Sequence, residues 1–359
     1  MPRALAFLSL VACSSSRHDA NLDAPGGDHH DGSTLDGSVD GPAGDQTFSF
    51  VVVGCNRLQK SDITSADPST ANLAQLDRTF GDIAALSPRP KFVFFAGDIV
   101  YGYKDATALQ SELTAWLAHY AASPLPAAGV ELVPVPGNHE MQNKTGSIKL
   151  AYVQAETTWV TVMGAKIRGS NGPTAGGPDH LQTDQSKLTY SFDYQGTHFI
   201  VLDTDPVGGD GSAPAHWIAS DAAAAHAAGA KHMFAIGHKP AYPSPVSTEG
   251  GFTSTSNRDA VWTALEANHA EAMLSAHNHL WFKTKPSKTW QVVAGNGGSL
   301  LESNVTGADA YYGFTLVHVG NAVTVTSFGR DVPAAGYLEA APAAQYPTTI
   351  RDTFDVTWQ

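Results

Sequence analysis

The strongest constraint in this sequence is a strand that ends in a carboxylate. Phe92 to Ala96 is an unbroken apolar run, the pattern of a strand buried on both faces in a parallel sheet. Gly97-Asp98 follows at once, and Ile99-Val100-Tyr101 completes the stretch. In open α/β sheets, ligands sit at the carboxyl ends of the strands. Three later runs repeat the design. Pro134-Val135-Pro136 leads into Gly137-Asn138-His139-Glu140, Met233 to Ile236 into Gly237-His238, and Ala272 to Ser275 into His277-Asn278-His279. One such strand end would mean little. Four in one chain put Asp, Asn and His donors at the carboxyl edge of their strands.

Composition narrows what that edge can serve. The 359 residues, 42% hydrophobic and 15% charged, suffice for a sizeable core. The formal charge is −13 and no basic run stands out, which argues against nucleic-acid binding. An anionic substrate would need a metal or local dipoles to hold it. Two cysteines, Cys13 and Cys55, provide no disulfide framework.

Residues 1–12 read as a signal segment, with Arg3 before an apolar stretch. Leu10-Val11-Ala12-Cys13 resembles a bacterial lipoprotein box, which implies cleavage before Cys13 and a lipid on its sulfur. Ser14 after that cysteine leans toward the outer membrane, so the expected location is the bacterial cell envelope. Residues 13–46 are Ser, Gly, Asp and Pro with almost no aliphatics, an extended acidic tether.

The folded domain is expected over residues 47–330. Phe48 to Val53 reads as a buried strand ending at Gly54-Cys55-Asn56-Arg57. Helical spacing marks 71–86, 107–121, 147–162, 213–228 and 259–268. Residues 188–204 alternate as a hairpin about Gln195-Gly196, and strands follow at 290–294, 312–319 and 322–328. The Pro- and Gly-rich stretch 240–257 is a candidate substrate lid. Residues 331–359 have no assigned place. Strands alternate with helices and then pair by short turns, which fits two facing sheets with helices outside.

As a set, Gly97-Asp98-Ile99-Val100-Tyr101, Gly137-Asn138-His139-Glu140, Gly237-His238 and His277-Asn278-His279 resemble the calcineurin-like metallophosphoesterase superfamily. Tyr101, three residues after Asp98, looks more like its purple acid phosphatase branch. The resemblance spans about Phe48 to Phe328 and implies an α/β fold, a four-layer αββα sandwich. It also implies a phosphoesterase with two divalent or mixed-valence ions (Fe, Zn or Mn), whose metal-bound hydroxide attacks phosphorus. A pair of ions about 3.5–4 Å apart can both activate the nucleophile and neutralise the phosphoryl oxygens. Carried over, Asp98 bridges the ions, Asn138, His238 and His277 bind the second, and His279 and Tyr101 bind the first. His139 matches a residue assigned to protonating the leaving group or gripping phosphate.

The pattern breaks at the first motif. The family's Asp and, two positions on, its His are replaced by Cys55 and Arg57. A thiolate at Cys55 can still ligate Zn²⁺ or iron, and Arg57 can clamp phosphate with Asn56 beside it. The leading expectation is a lipid-anchored phosphoesterase acting on a small phosphate ester, with a leaning to monoesters. A single-metal phosphodiesterase and a degenerate, non-catalytic surface-binding scaffold are the alternatives. On the anchoring expectation, Cys13→Ser leaves the protein unprocessed or soluble in cell fractionation. Processed Cys13→Ser protein that still partitions with membranes would refute it.

Overall fold

The computed structural model describes residues 47–358. The signal segment, the lipidation site Cys13 and the whole acidic tether, 13–46, lie outside the described residues. In chain order the elements are β1 (Phe48–Val53), α1 (Leu73–Ala84), β2 (Phe92–Ala96), α2 (Ala106–Ala122), α3 (Pro124–Ala127) and β3 (Glu131–Val135). Next come α4 (Asn138–Met141), β4 (Gln142–Thr145), β5 (Ile148–Ala151), α5 (Val153–Met163), β6 (Tyr190–Tyr194), β7 (Thr197–Leu202) and α6 (Ala215–Ala227). The chain closes with β8 (His232–Gly237), α7 (Thr255–Ala267), β9 (Ala272–Ser275), β10 (Trp281–Thr284), β11 (Trp290–Ala294), β12 (Tyr311–Val319), β13 (Val323–Asp331) and β14 (Thr349–Asp355).

Two six-stranded sheets form, ordered β14-β13-β12-β1-β2-β3 and β10-β11-β9-β8-β7-β6. β1, β2 and β3 run parallel, as do β7, β8, β9 and β11. The apolar strands bury both faces, and alternate residues serve different layers. Phe50, Phe94, Phe199 and Phe234 meet between the sheets, with the Phe50 ring 5.1 Å from both Phe199 and Phe234. Val51, Val93 and Phe95 point outward against Leu76 and Phe80 of α1 and Trp116 of α2. α6 and α7 cover the second sheet through Ile218 and Leu265. The result is the expected four-layer αββα sandwich.

Side chains cap the covering helices. Asn72 accepts the Gln75 N–H at the start of α1, and Asp105 accepts those of Thr107 and Ala108 at the start of α2. α7 begins four residues before the expected 259, because Ser254 caps it by accepting the Asn257 N–H.

Two stretches differ from the sequence expectation. Residues 148–151 are not helical: Thr145 pairs with Ile148 across a two-residue turn in which Gly146 takes φ +64°. Ile148 and Leu150 are exposed on that hairpin, so their apolar spacing does not mark a buried helix face. The C-terminal stretch also has a place. β14 extends the first sheet beside β13, and the segment before it straps α1. Asn72 donates to the Tyr337 carbonyl at 2.9 Å, Gln75 to the Glu339 carbonyl at 2.8 Å, and Arg78 to the Tyr346 carbonyl at 3.0 Å. No helix among the described residues is long and apolar enough to cross a membrane.

One buried ionic contact ties a hairpin to its helix. His198 on β7 bonds Asp193 of β6 at 2.8 Å and Asp221 of α6 at 2.9 Å. Burial alone would lower its pKa, but the two carboxylates outweigh it and raise it. A raised folded pKa stabilises most below the unfolded value of about 6.5, and the gain fades as pH rises through the folded value. The melting-temperature gap between wild type and His198→Asn is therefore expected to be wider at mildly acid than at alkaline pH. A gap that stays constant or widens with rising pH would contradict this assignment.

Candidate metal centre

Three donors leave their strands in the same way. Cys55, Asp98 and His277 each lie two residues beyond β1, β2 and β9, with φ of +59°, +53° and +65°. A left-handed turn costs a non-glycine residue about 1–2 kcal/mol. Strain of this kind persists where the surroundings over-determine it, commonly at functional sites. Here backbone bonds pin the exits together. Cys55 N–H donates to Gly97 O at 3.0 Å, Asn56 N–H to Asp98 O at 2.9 Å, and Ala276 N–H to His238 O at 2.9 Å. Gly97 turns at φ +77°, and a Cβ there would stand 2.5 Å from His238 Nδ1. Only glycine lets β2 and β8 approach this closely.

Three donors surround His238 Nε2. It lies 3.1 Å from Asp98 Oδ1, 3.0 Å from Asn138 Oδ1 and 3.2 Å from His277 Nδ1. Donors about 2.0–2.1 Å from a tetrahedral ion stand roughly 3.3 Å from one another, and these three distances are of that size. Secondary contacts set which atoms face inward. His238 Nδ1–H donates to Ala96 O at 2.7 Å, which presents Nε2. The Asn138 amide donates to the Tyr103 hydroxyl, which turns its Oδ1 toward His238. Cys55 Sγ also lies within 4.8 Å of Asp98 and His238 donor atoms.

Glu140 holds the frame. It is fully buried, and its Oε2 accepts the N–H groups of Asp98 at 3.0 Å and Gly137 at 2.9 Å. Its Oε1 accepts those of Ile99 at 2.8 Å and Val100 at 3.1 Å. One carboxylate thus clamps the loop after β2 to the loop after β3. Beside His238, Lys239 bonds Asp205 and Asp210, both at 2.6 Å, and Gln142 donates to the same pair.

The remaining expected residues stand around this group, with Arg57 and the His139 ring beside Asp98 Oδ2. Arg57 Nε lies 3.4 Å from Asp98 Oδ2. The Cys55 thiol is buried, and its sulfur accepts the His277 N–H at 3.2 Å. His279 Nδ1–H donates to the Leu300 carbonyl at 2.8 Å, leaving Nε2 for other work. His139 Nδ1 is bonded to the Tyr101 carbonyl, and its Nε2 is 3.8 Å from Asp98 Oδ2. Asn56 spends its amide N–H groups on the carbonyls of Asn72 and Gly297. Tyr101 contributes backbone, its N–H donating to Thr70 and its carbonyl meeting His139. The phenol that reaches a donor belongs to Tyr103, whose ring centre is 3.8 Å from that of His139. The expected lid, 240–257, is pinned and its last residues belong to α7: Ser244 N–H donates to Asn278 Oδ1 at 3.0 Å and Thr248 to Glu302 at 2.9 Å.

The field at the site is centred on Asp98. Burial would raise its carboxyl, but His238, His139 and Arg57 hold it well below the usual range. Burial, then His238 and Lys239, depress His277, while burial and Arg57 bring His279 down to about 4. Both are neutral donors near pH 7, as metal binding requires. Burial and Arg57 likewise keep His139 neutral. Burial and Asp98 push Cys55 up, which favours the thiol. Burial and Asp98 also raise Glu140 to about 7, against the pull of its backbone N–H partners.

The calcineurin-like phosphoesterase family profile matches residues 27–281. A purple acid phosphatase from yellow lupin (Lupinus luteus) seeds superposes with a TM-score of 0.54 at 15% identity, over 87% of this chain. This chain spans 54% of the lupin enzyme's length. A dimetal phosphatase from Danio rerio superposes with a TM-score of 0.52 at 14% identity, over 87% of this chain and 99% of the other. Likeness at this identity concerns the fold. No curated protein matches in sequence.

Neither Glu140 nor Tyr103 was assigned a role from the sequence. Glu140 lies inside the quoted Gly-Asn-His-Glu stretch, so a signal was present. Tyr103 reaches the site through the turn at Gly102, φ +54°, which spacing alone does not show. Glu140→Gln would place an amide NH₂ against backbone N–H groups and leave two of them without an acceptor. The expected loss is about 3 kcal/mol or more of stability, read by denaturant unfolding. Wild-type stability in that variant would show that the clamp does not hold the two loops.

Proposed function

Because the chain belongs to the calcineurin-like phosphoesterase family, we propose that it hydrolyses phosphate esters at the Asp98 cluster as a metal-dependent enzyme. The observation that carries this reading is the gathering of Asp98, Asn138 and His277 donors about His238 Nε2, with Cys55, Asp98 and His238 donor atoms within 4.8 Å of one another. These four residues fit a divalent ion: one carboxylate, one amide oxygen and two imidazoles, each oriented by its surroundings. When bound, the ion supplies Lewis acidity toward the phosphoryl oxygens.

The chain's own residues do the rest. Arg57 places a fixed positive charge beside Asp98, suited to a phosphoryl oxygen. His139 offers Nε2 at the same place, since Nδ1 is tied to Tyr101 O. In the neutral form Nε2 accepts, so His139 must first take up a proton to donate one to a leaving alcohol. Beside the loop that carries His279, a cavity of about 360 Å³ lined by Val246, Leu280, Trp281 and Phe282 offers room for the organic part of an ester.

A phosphomonoester is the favoured substrate, supported by the Gly97–Tyr101 motif rather than by a contact of the Tyr101 hydroxyl. Lipid anchoring through Cys13 in a bacterial envelope is part of this proposal and rests on sequence alone. A dinuclear centre would take its further ion on the Oδ2 side of Asp98, where Arg57 competes. The reading is tested with Asp98→Asn, which keeps the shape and removes the charge. It is expected to lose metal and to hydrolyse an aryl phosphate about 10²-fold more slowly or worse. Near-wild-type turnover and metal content would sink the proposal.

A further inference from the structure

The two oxygens of Asp98 face different surroundings. Oδ1 belongs to the compact donor group with His238, Asn138 and His277. Oδ2 faces Arg57, whose Nε is 3.4 Å away and whose side chain is only 9% exposed. The family pattern implies a first ion held by an aspartate after the first strand and a histidine two residues on, and Oδ2 is the oxygen of Asp98 that could meet it outside the Oδ1 group. Cys55 and Arg57 hold those positions here, and they do not fit such an ion. The guanidinium is a permanent cation, and it already sits on the oxygen the ion would need. Cys55 Sγ accepts the His277 N–H and lies within 4.8 Å of Asp98 and His238 donor atoms, so it is placed to serve the same ion as they do rather than a further one. Among the described residues, Asp98 is the one carboxylate in the donor group, because Glu140 is committed to four backbone N–H groups. The negative charge that would offset a further divalent ion is missing.

We propose that the Arg57 guanidinium takes the place of the first metal ion, so that each chain holds one ion and Arg57 grips the phosphoryl group beside it. The inference rests on the phosphoesterase reading and changes how that site is built. Among the described residues, the Arg57 side chain bonds only Asp98, through Nε. Nη1 and Nη2 remain to form the planar, two-pronged contact that guanidinium makes with phosphate. The ion and the guanidinium then neutralise phosphoryl oxygens from opposite sides of one carboxylate. Unlike an ion, the guanidinium cannot be removed by chelation.

Elemental analysis of the full chain, saturated with Zn²⁺ and dialysed, tests the count directly: one ion per chain is expected. Calorimetric titration of the same loaded protein with inorganic phosphate tests the grip. Arg57→Gln is expected to weaken phosphate binding roughly tenfold or more with the ion count unchanged. Restoring the family pattern with Cys55→Asp and Arg57→His together is expected to add a second ion. Two ions per wild-type chain, or undiminished phosphate affinity in a folded Arg57→Gln protein, would overturn the inference. A wild-type chain with no ion and no ester hydrolysis would instead strike the phosphoesterase reading itself.

Discussion

The site depends on one buried carboxylate that is not itself a metal donor. Glu140 gathers four backbone N–H groups from two loops that leave neighbouring strands. Without it, the loops of Asp98 and Asn138 would be joined mainly by the His139 N–H to Asp98 Oδ1 and the Tyr103 N–H to the His139 carbonyl. The same bonds settle an electrostatic problem. Two carboxylates buried side by side repel; burial and Asp98 raise Glu140 to about 7, and its backbone N–H partners with His238 limit that rise. Division of labour follows: one acid builds the floor of the site, the other faces the chemistry.

Most of the fold was legible because its strands are apolar on both faces and its helices carry one apolar stripe. Donors placed directly after such strands, as Asp98, Asn138, His238 and His277 are, could be read from position alone. What resisted reading depends on contacts between distant loops. The Arg57–Asp98 pair joins the exits of two parallel strands, and Tyr103 meets Asn138 only because Gly102 turns the chain. Ile148 and Leu150 mislead because an exposed hairpin imitates the apolar spacing of a helix. The strand Thr349–Asp355 was missed because most of its residues lie at a solvent-facing sheet edge, where no continuous apolar run is needed.

Orientation at the centre is built into the backbone rather than left to side-chain freedom. His238 and His279 each give one ring nitrogen to a carbonyl, so the tautomer presented inward is set before any ion arrives. The left-handed turns at Cys55, Asp98 and His277 aim the side chains at a fixed point. Binding then costs little reorganisation, which favours affinity and geometric precision together.

The route of the chain through the first sheet bears on how the protein comes to be folded. β1 sits between β2 and β12, and it pairs with residues more than 260 positions later. The helix that follows β1 finds its polar partners in the segment from Tyr337 to Tyr346. During synthesis the N-terminal half therefore emerges with an open sheet edge and unfinished helix contacts. Loop closure over such separations must precede its reward. The first sheet is completed only once β12, β13 and β14 have left the ribosome, and until then β1 presents an open, aggregation-prone strand edge.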